Sequence, residues 1–212
     1  MTGAKPGWFI TLEGGEGAGK STHARRLAAA LESRGIATVA TREPGGSPGA
    51  EDIRKLLVEG EPGRWEPLVE TLLMFAARTD HVTHTIIPAL ARGGCVICDR
   101  FTDSTYAYQG AGRGLPRETI RRIEAIAVPD LKPDLTLILD LPAETGLGRA
   151  ARRNTGETRF ERFDIGFHER LREAFREIAR HHPQRCALID ATLSPDDVAA
   201  AIWRVVEARL GL

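Results

Sequence analysis

The sequence predicts a three-layer α/β fold in which a five-stranded parallel sheet is flanked by helices. Five short apolar runs alternate with longer segments of helical periodicity. The apolar runs are continuous instead of alternating with polar residues, which is typical of strands that are covered on both faces. The chain has 212 residues, a length that favours one domain with an insertion over two domains. We therefore expect a single domain over residues 1–212.

The predicted strands are the short runs rich in β-branched and other apolar residues. They lie at Trp8–Leu12, Ala37–Thr41, Cys95–Cys98, Leu135–Leu141 and Cys186–Ile189. Cys95 and Cys98 stand three apart in one strand, so they point to opposite faces of the sheet and cannot converge on one metal ion. The chain has three cysteines, which is too few for a disulfide framework. We expect all three to be core residues.

The predicted helices show apolar residues at spacings of three and four. They lie at Thr22–Arg34, Ala50–Val58, Pro67–Ala91, Pro116–Val128, Ala143–Arg152, Phe163–His181 and Pro195–Leu210. In the Phe163 segment, Phe163, Phe167, Leu171 and Phe175 recur every four residues and form one apolar stripe, which we interpret as core. Several of these helices begin at a proline, where the missing N–H does no harm.

Composition limits the possible partners. The 29 basic residues balance the 29 acidic ones, so the charge of the whole protein does not indicate a nucleic acid polymer as partner. No apolar run approaches the length of a membrane span, and the N-terminus lacks the apolar region of a secretory signal. We expect a cytoplasmic protein that does not bind a membrane.

The motif with the clearest chemistry is Gly14-Gly15-Glu16-Gly17-Ala18-Gly19-Lys20-Ser21, which fits the phosphate-loop pattern G-x-x-x-x-G-K-[ST]. A predicted strand precedes it and a predicted helix follows it, as this loop requires. Its glycines let backbone N–H groups point at phosphate oxygens, and the helix adds the positive end of its dipole. A glycine-rich turn beside an exposed lysine is the structural alternative.

The loop predicts a P-loop NTPase fold and a nucleotide as ligand. Lys20 would reach the β- and γ-phosphates, and the Ser21 hydroxyl would ligate Mg²⁺. The residues expected to bind ATP are Gly14, Gly15, Glu16, Gly17, Ala18, Gly19, Lys20, Ser21 and Thr22.

Asp99 ends the third predicted strand, and ligands gather at the carboxyl ends of strands in α/β sheets. An aspartate in this position serves Mg²⁺ in many phosphate-loop proteins, although an ordinary turn residue is the alternative. A guanine-specific switch GTPase would need an N-K-x-D motif. The one asparagine of the chain, Asn154, is followed by Thr155, which excludes that class.

Arginines cluster between Arg149 and Arg176, and the polar stretch from Arg152 to Arg159 interrupts the helices on either side. Arginine-rich loops over phosphate sites often act as lids. We expect a small lid at roughly residues 147–162, with a solvated connection between two helices as the alternative.

Four motifs in order make the chain similar to the thymidylate (dTMP) kinases over nearly its whole length. They are the phosphate loop, Arg42-Glu43-Pro44-Gly45-Gly46, Leu72-Leu73-Met74-Phe75-Ala76-Ala77-Arg78, and the stretch from Asp99-Arg100-Phe101 through Ser104-Thr105-Tyr106-Ala107-Tyr108-Gln109-Gly110.

The resemblance implies how the acceptor nucleotide is held. Arg54 and Arg100 would bind the phosphate of dTMP, since the planar guanidinium fork suits phosphate oxygens. Glu43 and Pro44 belong to the same site, and Glu43 is expected near the transferred phosphate and Mg²⁺ together with Asp99. Arg54 could equally be a charge on a helix surface if the family match is set aside.

The resemblance also assigns the base and sugar contacts. Phe75 would stack on thymine and Arg78 would face a base carbonyl. Some relatives space the aromatic residue and the arginine by four, which would put Met74 in the stacking position. Thr105 and Gln109 resemble a polar pair that reads the base edge, and Tyr108 resembles a tyrosine that crowds the sugar.

The phosphate loop contains no arginine, so the transferring group must receive positive charge from elsewhere. The likeness is to the bacterial type of the family, in which the lid supplies it. The residues expected to take part in catalysis are Lys20, Asp99, Arg100, Arg149, Arg153 and Arg159.

The resemblance therefore implies a kinase that transfers the γ-phosphate of ATP to dTMP with Mg²⁺ and gives dTDP for dTTP synthesis. It also implies a homodimer, formed through helices such as Pro67–Ala91. Two alternatives stay open from the residues alone. One is a nucleoside monophosphate or deoxynucleoside kinase of other base preference, and the other is a non-catalytic nucleotide-binding regulator.

Overall fold

A computed structural model describes residues 7–152 and 159–211. Its centre is a five-stranded parallel sheet in the order β2-β3-β1-β4-β5. The strands are β1 (Phe9–Glu13), β2 (Thr38–Arg42), β3 (Cys95–Asp99), β4 (Leu135–Asp140) and β5 (Cys186–Asp190). All five predicted strands are confirmed, and their ends differ from the prediction by at most one residue.

Helices connect the strands and cover both faces of the sheet. They are α1 (Lys20–Glu32), α2 (Pro48–Val58), α3 (Pro67–His81), α4 (Ile87–Ala91), α5 (Thr102–Thr105), α6 (Arg117–Ala127), α7 (Ala143–Ala151), α8 (Ile165–His181) and α9 (Pro195–Leu210). The predicted helix Pro67–Ala91 is present as α3 and α4 with a π-helical segment, Val82–Ile86, between them.

Helices α8 and α1 begin two residues away from their predicted starts, each for a local reason. Helix α8 begins two residues later than predicted because the Asp164 side chain accepts a hydrogen bond from the N–H of Phe167 at 2.8 Å and caps the helix there. Helix α1 begins two residues earlier than predicted, at Lys20, because Gly19 adopts a left-handed conformation with φ 92° and ends the phosphate loop.

The sequence analysis did not predict the segment after β3, which contains α5 and a π-helical stretch over Tyr106–Gly112. Its first turn is formed by Thr102, Asp103, Ser104 and Thr105, all buried in spite of their polarity. Hydrophobic periodicity cannot reveal such a segment. π-helical turns are frequent at functional sites, and this one lies beside the cleft described below.

Two apolar layers lie on opposite faces of the sheet. One contains Leu27 and Leu31 of α1 and Ile202 of α9, and the other contains residues of α3 and α6. Cys95 belongs to the first layer and Cys98 to the second. The two thiols therefore point to opposite faces, as predicted, and all three cysteines are buried and free.

Strand order determines where a ligand can bind. The chain runs from β1 toward β2 on one side, whereas after β3 it crosses to β4 on the other side of β1. The connections thus diverge above β1 and β3, and ligands of α/β sheets bind at such a crevice outside the carboxyl ends of the strands. Within the described part of the chain, no helix has the length and apolar character that crossing a bilayer requires.

Candidate active site

A cleft of about 240 Å³ lies at this crevice. Its walls come from the phosphate loop, the ends of β2 and β3, α2, α3 and the segment after β3. The cationic side chains among its lining residues are Lys20, Arg42, Arg54, Arg78 and Arg100, and the acidic ones are Glu16, Glu43, Asp99 and Glu161. The cleft thus suits a ligand that carries several negative charges.

The phosphate loop connects β1 to α1 in the predicted way. Gly17 has φ 66°, and a Cβ atom there would lie 2.0 Å from the backbone oxygen of Gly146. Only glycine fits at this close approach. Lys20 is 7% exposed, and its Nζ donates a hydrogen bond to the Gly15 carbonyl at 2.7 Å. Burial lowers the pKa of Lys20 to about 8, and the charge of Arg100 adds to this effect.

Ser21 and Asp99 form the part of the cleft that fits a metal ion. The Ser21 hydroxyl donates a hydrogen bond to Oδ2 of Asp99. The other carboxylate oxygen, Oδ1, is buried and has no hydrogen-bond partner among the described residues. Hydroxyl and carboxylate oxygens are the ligands that Mg²⁺ prefers, and an unpartnered buried carboxylate oxygen is costly without a cation or donor. The two residues therefore fit Mg²⁺.

Arg100 follows Asp99 and turns its guanidinium back across the cleft. Its backbone has φ 71°, an unusual conformation for a residue other than glycine. Its Nη1 donates to the Gly14 carbonyl at 3.0 Å, and its Nη2 donates to Oε1 of Glu16 at 2.9 Å. The unusual backbone geometry thus brings an arginine from the end of β3 against the phosphate loop.

Glu16 joins the phosphate loop to the segment after β3. Its carboxylate accepts hydrogen bonds from Arg100 and from the Tyr108 hydroxyl, the latter at 2.7 Å. Burial opposes the charge on Glu16, but Arg100, Lys20 and the Tyr108 hydroxyl outweigh it and lower the pKa of Glu16 to about 2. Glu16 therefore balances part of the positive charge on this side of the cleft.

Arg78 is fixed in the opposite wall by three partners. Its Nε donates to Oε2 of Glu43 at 2.6 Å, its Nη1 to Thr105 Oγ1 at 3.1 Å, and its Nη2 to the Phe101 carbonyl at 3.1 Å. The second oxygen of Glu43 lies 3.0 Å from Nδ1 of His81. The Glu43 carboxylate thus bonds to Arg78 and His81, whereas Asp99 bonds to Ser21.

The structure does not bring Phe75, which was predicted to stack on a base, to the wall of the cleft. Phe75 is 2% exposed and packs in the apolar layer with Phe9 and Phe101. It is not among the residues that line the cleft, whereas Met74 is. Adjacent residues of a helix point about 100° apart. Because Phe75 packs in the core, Met74 points toward the cleft. Met74, the alternative stacking residue, is thus the one of the two whose side chain reaches the cleft.

The remaining residues that were predicted to bind the acceptor lie together. Arg54, Pro44, Thr105, Tyr108 and Gln109 all line the cleft. Arg54 Nη1 donates to the Pro44 carbonyl at 2.5 Å, which ties α2 to the turn after β2. Gln109 is buried, and its Nε2 donates to Oε1 of Glu70 at 2.8 Å.

The structure places Arg159, a predicted lid arginine, in the interior and not on the cleft wall. Its side chain is 1% exposed and donates to the carbonyls of Leu57, Glu61 and Pro62, and it forms an ion pair with Glu70. Sequence could not separate this arginine from its neighbours, because a buried partner such as Glu70 lies far away along the chain.

Of the other two lid candidates, only Arg149 lies within the described residues. Arg149 lies on α7, where its Nη1 donates to the Ala191 carbonyl at 3.1 Å, and it does not line the cleft. Arg153 lies outside the described residues. Six residues that the sequence analysis gave no ligand role line the cleft, namely Arg42, Val58, Phe101, Ser104, Phe160 and Glu161. Glu70 and Arg113 support it from behind, and no sequence signal marks either of them.

A loop that binds nucleotide phosphates thus faces a cleft whose far wall carries arginines of its own. This arrangement is typical of P-loop enzymes that transfer a phosphoryl group between two bound molecules.

Comparison with known proteins identifies the family within that class. A family model described as thymidylate kinase matches residues 12–202. A thymidylate kinase of Caulobacter vibrioides is 57% identical over 206 residues, covering 97% of this chain and 99% of that protein. Another, from Bradyrhizobium sp. strain BTAi1, is 54% identical over 96% of this chain and 91% of its own length.

A solved structure agrees with these relatives. The crystal structure of thymidylate kinase from Ehrlichia chaffeensis matches with a TM-score of 0.76 and 33% sequence identity, over 95% of this chain and 99% of that one. The chain belongs to the thymidylate kinase family.

Proposed function

We propose that the cleft binds dTMP beside ATP and that the enzyme transfers the γ-phosphoryl group to give dTDP and ADP, a step in the synthesis of dTTP. The observation that carries this proposal is that the phosphate loop and the arginines of the opposite wall face one cleft, which Lys20, Asp99 and Arg100 also line. Such transfer needs two polyanions held in line and cations to offset their repulsion.

The donor side is the loop from Gly14 to Thr22, whose backbone N–H groups and Lys20 bind the phosphates of ATP. Ser21 and Asp99 hold Mg²⁺. Held by these residues, Mg²⁺ would supply positive charge to the phosphate oxygens of the donor. Support for this assignment comes from the contact between the two side chains and from the unpartnered Oδ1 of Asp99.

The acceptor side begins at Arg54 and Arg100, which bind the phosphate of dTMP. Both guanidiniums line the cleft and lie on different walls, so they can contact different oxygens of one phosphate. Neither carboxylate near the phosphate need act as a strong base, because the attacking phosphate is already an anion.

The base lies deeper, between Met74 and the polar groups of Arg78, Thr105 and Gln109. The polarizable thioether of Met74 suits contact with the face of an aromatic ring. Tyr108, which is fixed by its hydrogen bond to Glu16, crowds the sugar and disfavours a 2′-hydroxyl. For the transferring group, Arg149 and Arg153 remain the proposed sources of positive charge from the lid.

The apolar residues on the outside of α3 support the proposed homodimer. Leu68 and Leu72, one turn apart, are 45% and 50% exposed, and Val69 beside them is 40% exposed. Exposed apolar patches of this kind mark protein interfaces. Light scattering should give the mass of a dimer, and Leu72→Glu should reduce it to that of a monomer. An equal monomer mass for both proteins would contradict a dimer through α3.

Because the proposed substrates are metabolites of the cytoplasm, we place the enzyme in the cytoplasm.

The base preference is tested by offering the purified protein dTMP, dUMP, dCMP, dGMP and thymidine with Mg-ATP. We expect dTMP to be the best acceptor. Phosphorylation of thymidine without phosphorylation of dTMP would indicate a deoxynucleoside kinase instead. Binding of Mg-ATP without turnover on any acceptor would indicate a nucleotide-binding regulator.

A further inference from the structure

A buried cluster of charged and polar side chains lies behind the wall of the cleft. Its centre is Glu70 of α3, which is completely buried. Around it lie Nη2 of Arg159 at 2.5 Å, Nη1 of Arg113 at 3.0 Å and Nε2 of Gln109 at 2.8 Å. We call Glu70, Gln109, Arg113 and Arg159 the Glu70 cluster. A buried carboxylate is tolerated when it is paired in this way.

Glu70 determines which end of the Gln109 amide faces it. An ionised carboxylate can only accept hydrogen bonds, so the NH₂ group of Gln109 must point toward Glu70. The carbonyl oxygen of the amide then points away from Glu70. No described residue donates a hydrogen bond to this oxygen, and Gln109 lines the cleft. Gln109 therefore presents an acceptor, and not a donor, to the ligand.

The two arginines keep this arrangement in place. Arg159 donates to three backbone carbonyls, one in the last turn of α2 and two in the segment between α2 and α3, and Arg113 donates to the backbone carbonyl of Trp65 in that segment. Both cations are thus fixed independently of Gln109. Two guanidiniums contact the Glu70 side chain from other directions, so the amide of Gln109 gains nothing by rotating.

We propose that Glu70 is a positioning residue that sets the preference of the cleft for thymine over cytosine. The proposal deepens the proposed function, since it assumes that Gln109 contacts the base edge of dTMP. The N3 atom of thymine carries a hydrogen and donates, whereas N3 of cytosine is an acceptor. A carbonyl oxygen fixed toward the base pairs with the first and repels the second.

Glu70→Gln tests this directly, because the substitution keeps the shape and removes the reason for the amide to face one way. We expect kcat/KM for dTMP to fall about tenfold, mainly through KM, while the value for dCMP is unchanged or rises. The ratio of the two values should therefore fall by at least about tenfold. Gln109→Leu should lower the ratio by a similar factor, and the double variant should lower it no further.

Glu61→Gln is the matched control. Glu61 forms an exposed ion pair with Arg162 at 2.7 Å in the same region, and its side chain does not contact Gln109. The dTMP to dCMP ratio of this variant should equal that of the unsubstituted protein. Glu70→Asp is a second test in case Glu70→Gln does not fold. It keeps the charge beside the arginines but withdraws the carboxylate from Gln109, and the ratio should again fall.

Thermal unfolding shows which of the Glu70 variants are folded, and the kinetic ratio of the folded variants separates a positioning role from a purely structural one. If folded Glu70 variants lose activity toward dTMP and dCMP equally, or keep the original ratio, the proposal is overturned. This outcome differs from failure of the proposed function, which would appear as absence of dTMP phosphorylation by the unsubstituted protein. A lower ratio in the Glu70 and Gln109 variants alone supports the proposal.

Discussion

The Ser21 hydroxyl donates a hydrogen bond to the carboxylate of Asp99, although the two residues lie 78 positions apart in the chain. The contact joins the first turn of α1 to the end of β3 at the crevice where the strand connections diverge. One oxygen of Asp99 accepts this hydrogen bond, and the other has no partner among the described residues. The pair is therefore an incomplete set of oxygen ligands at the mouth of the phosphate loop.

Asp99→Asn tests whether this pair holds Mg²⁺. The substitution keeps the size of the side chain but removes the charge that a cation requires. We expect kcat to fall about 100-fold and the Mg²⁺ concentration for half-maximal rate to rise. Asp190→Asn is the matched control, since Asp190 also ends a strand of the sheet but does not line the cleft. An unchanged Mg²⁺ dependence in Asp99→Asn would contradict the assignment.

Arg100→Ala should weaken the acceptor more than the donor. Its guanidinium contacts Glu16 and the Gly14 carbonyl in the wall of the cleft, where the acceptor phosphate is proposed to lie. We expect the KM for dTMP to rise about tenfold or more, with a small change in the KM for ATP. Arg26→Ala, at an exposed arginine paired with Asp196, should change neither value. A larger effect on ATP than on dTMP would place Arg100 on the donor side.

Neighbouring residues of α3 should give opposite results when truncated. Met74→Ala removes a wall of the cleft and should raise the KM for dTMP with little change in the free energy of unfolding. Phe75→Ala removes a buried ring from the core and should lower the free energy of unfolding by about 3–5 kcal/mol. Steady-state kinetics and denaturant titration of both variants check this. If the KM effect followed Phe75 and the stability effect followed Met74, the structural assignment would be reversed.

Glu13 makes stability depend on pH. Burial, together with the nearby charge of Asp103, raises the pKa of Glu13 from its ordinary 4.5 to about 8. Between these values the folded state holds a proton that the unfolded chain releases, so stability should fall as pH rises from about 4.5 to about 8. The slope from this one group is at most about 1.4 kcal/mol per pH unit.

Urea titrations between pH 5 and pH 8 measure this dependence. Glu13→Gln removes the titrating group, so the fall in the free energy of unfolding per pH unit should become smaller, by at most the contribution of one proton. Glu32→Gln, at an exposed position of α1, serves as control and should leave the slope unchanged. Equal slopes in Glu13→Gln and the unsubstituted protein would show that Glu13 does not hold the proton.

The strands and the phosphate loop could be predicted because their signals are local. Continuous apolar runs identify buried strands, and the glycines of the loop have a spacing that few other structures require. The positions of Phe75 and Arg159 depend on contacts that sequence does not display. Whether Met74 or Phe75 faces the cleft depends on the rotation of α3 against the sheet. Whether Arg159 is free depends on Glu70, which lies 89 positions earlier in the chain.

The segment over residues 102–112 could not be predicted from hydrophobic patterns either. Its polar residues are buried because they bond to Glu13, Arg78 and Arg185. A pattern analysis that assigns buried positions to apolar residues cannot find such a segment, and only the family motif indicated that it has a role.

The proposed phosphoryl transfer is tested most directly by measuring the dTDP that forms from dTMP and Mg-ATP. The products are separated by chromatography for the purified protein and for Lys20→Ala. We predict that the unsubstituted protein forms dTDP and ADP in equal amounts. Lys20→Ala should lose nearly all of this activity, because the substitution removes the ammonium group that offsets the negative charge of the transferring phosphate. Lys55→Ala, at an exposed lysine, should retain it. Absence of dTDP in the unsubstituted protein, or substantial turnover by Lys20→Ala, would contradict the account.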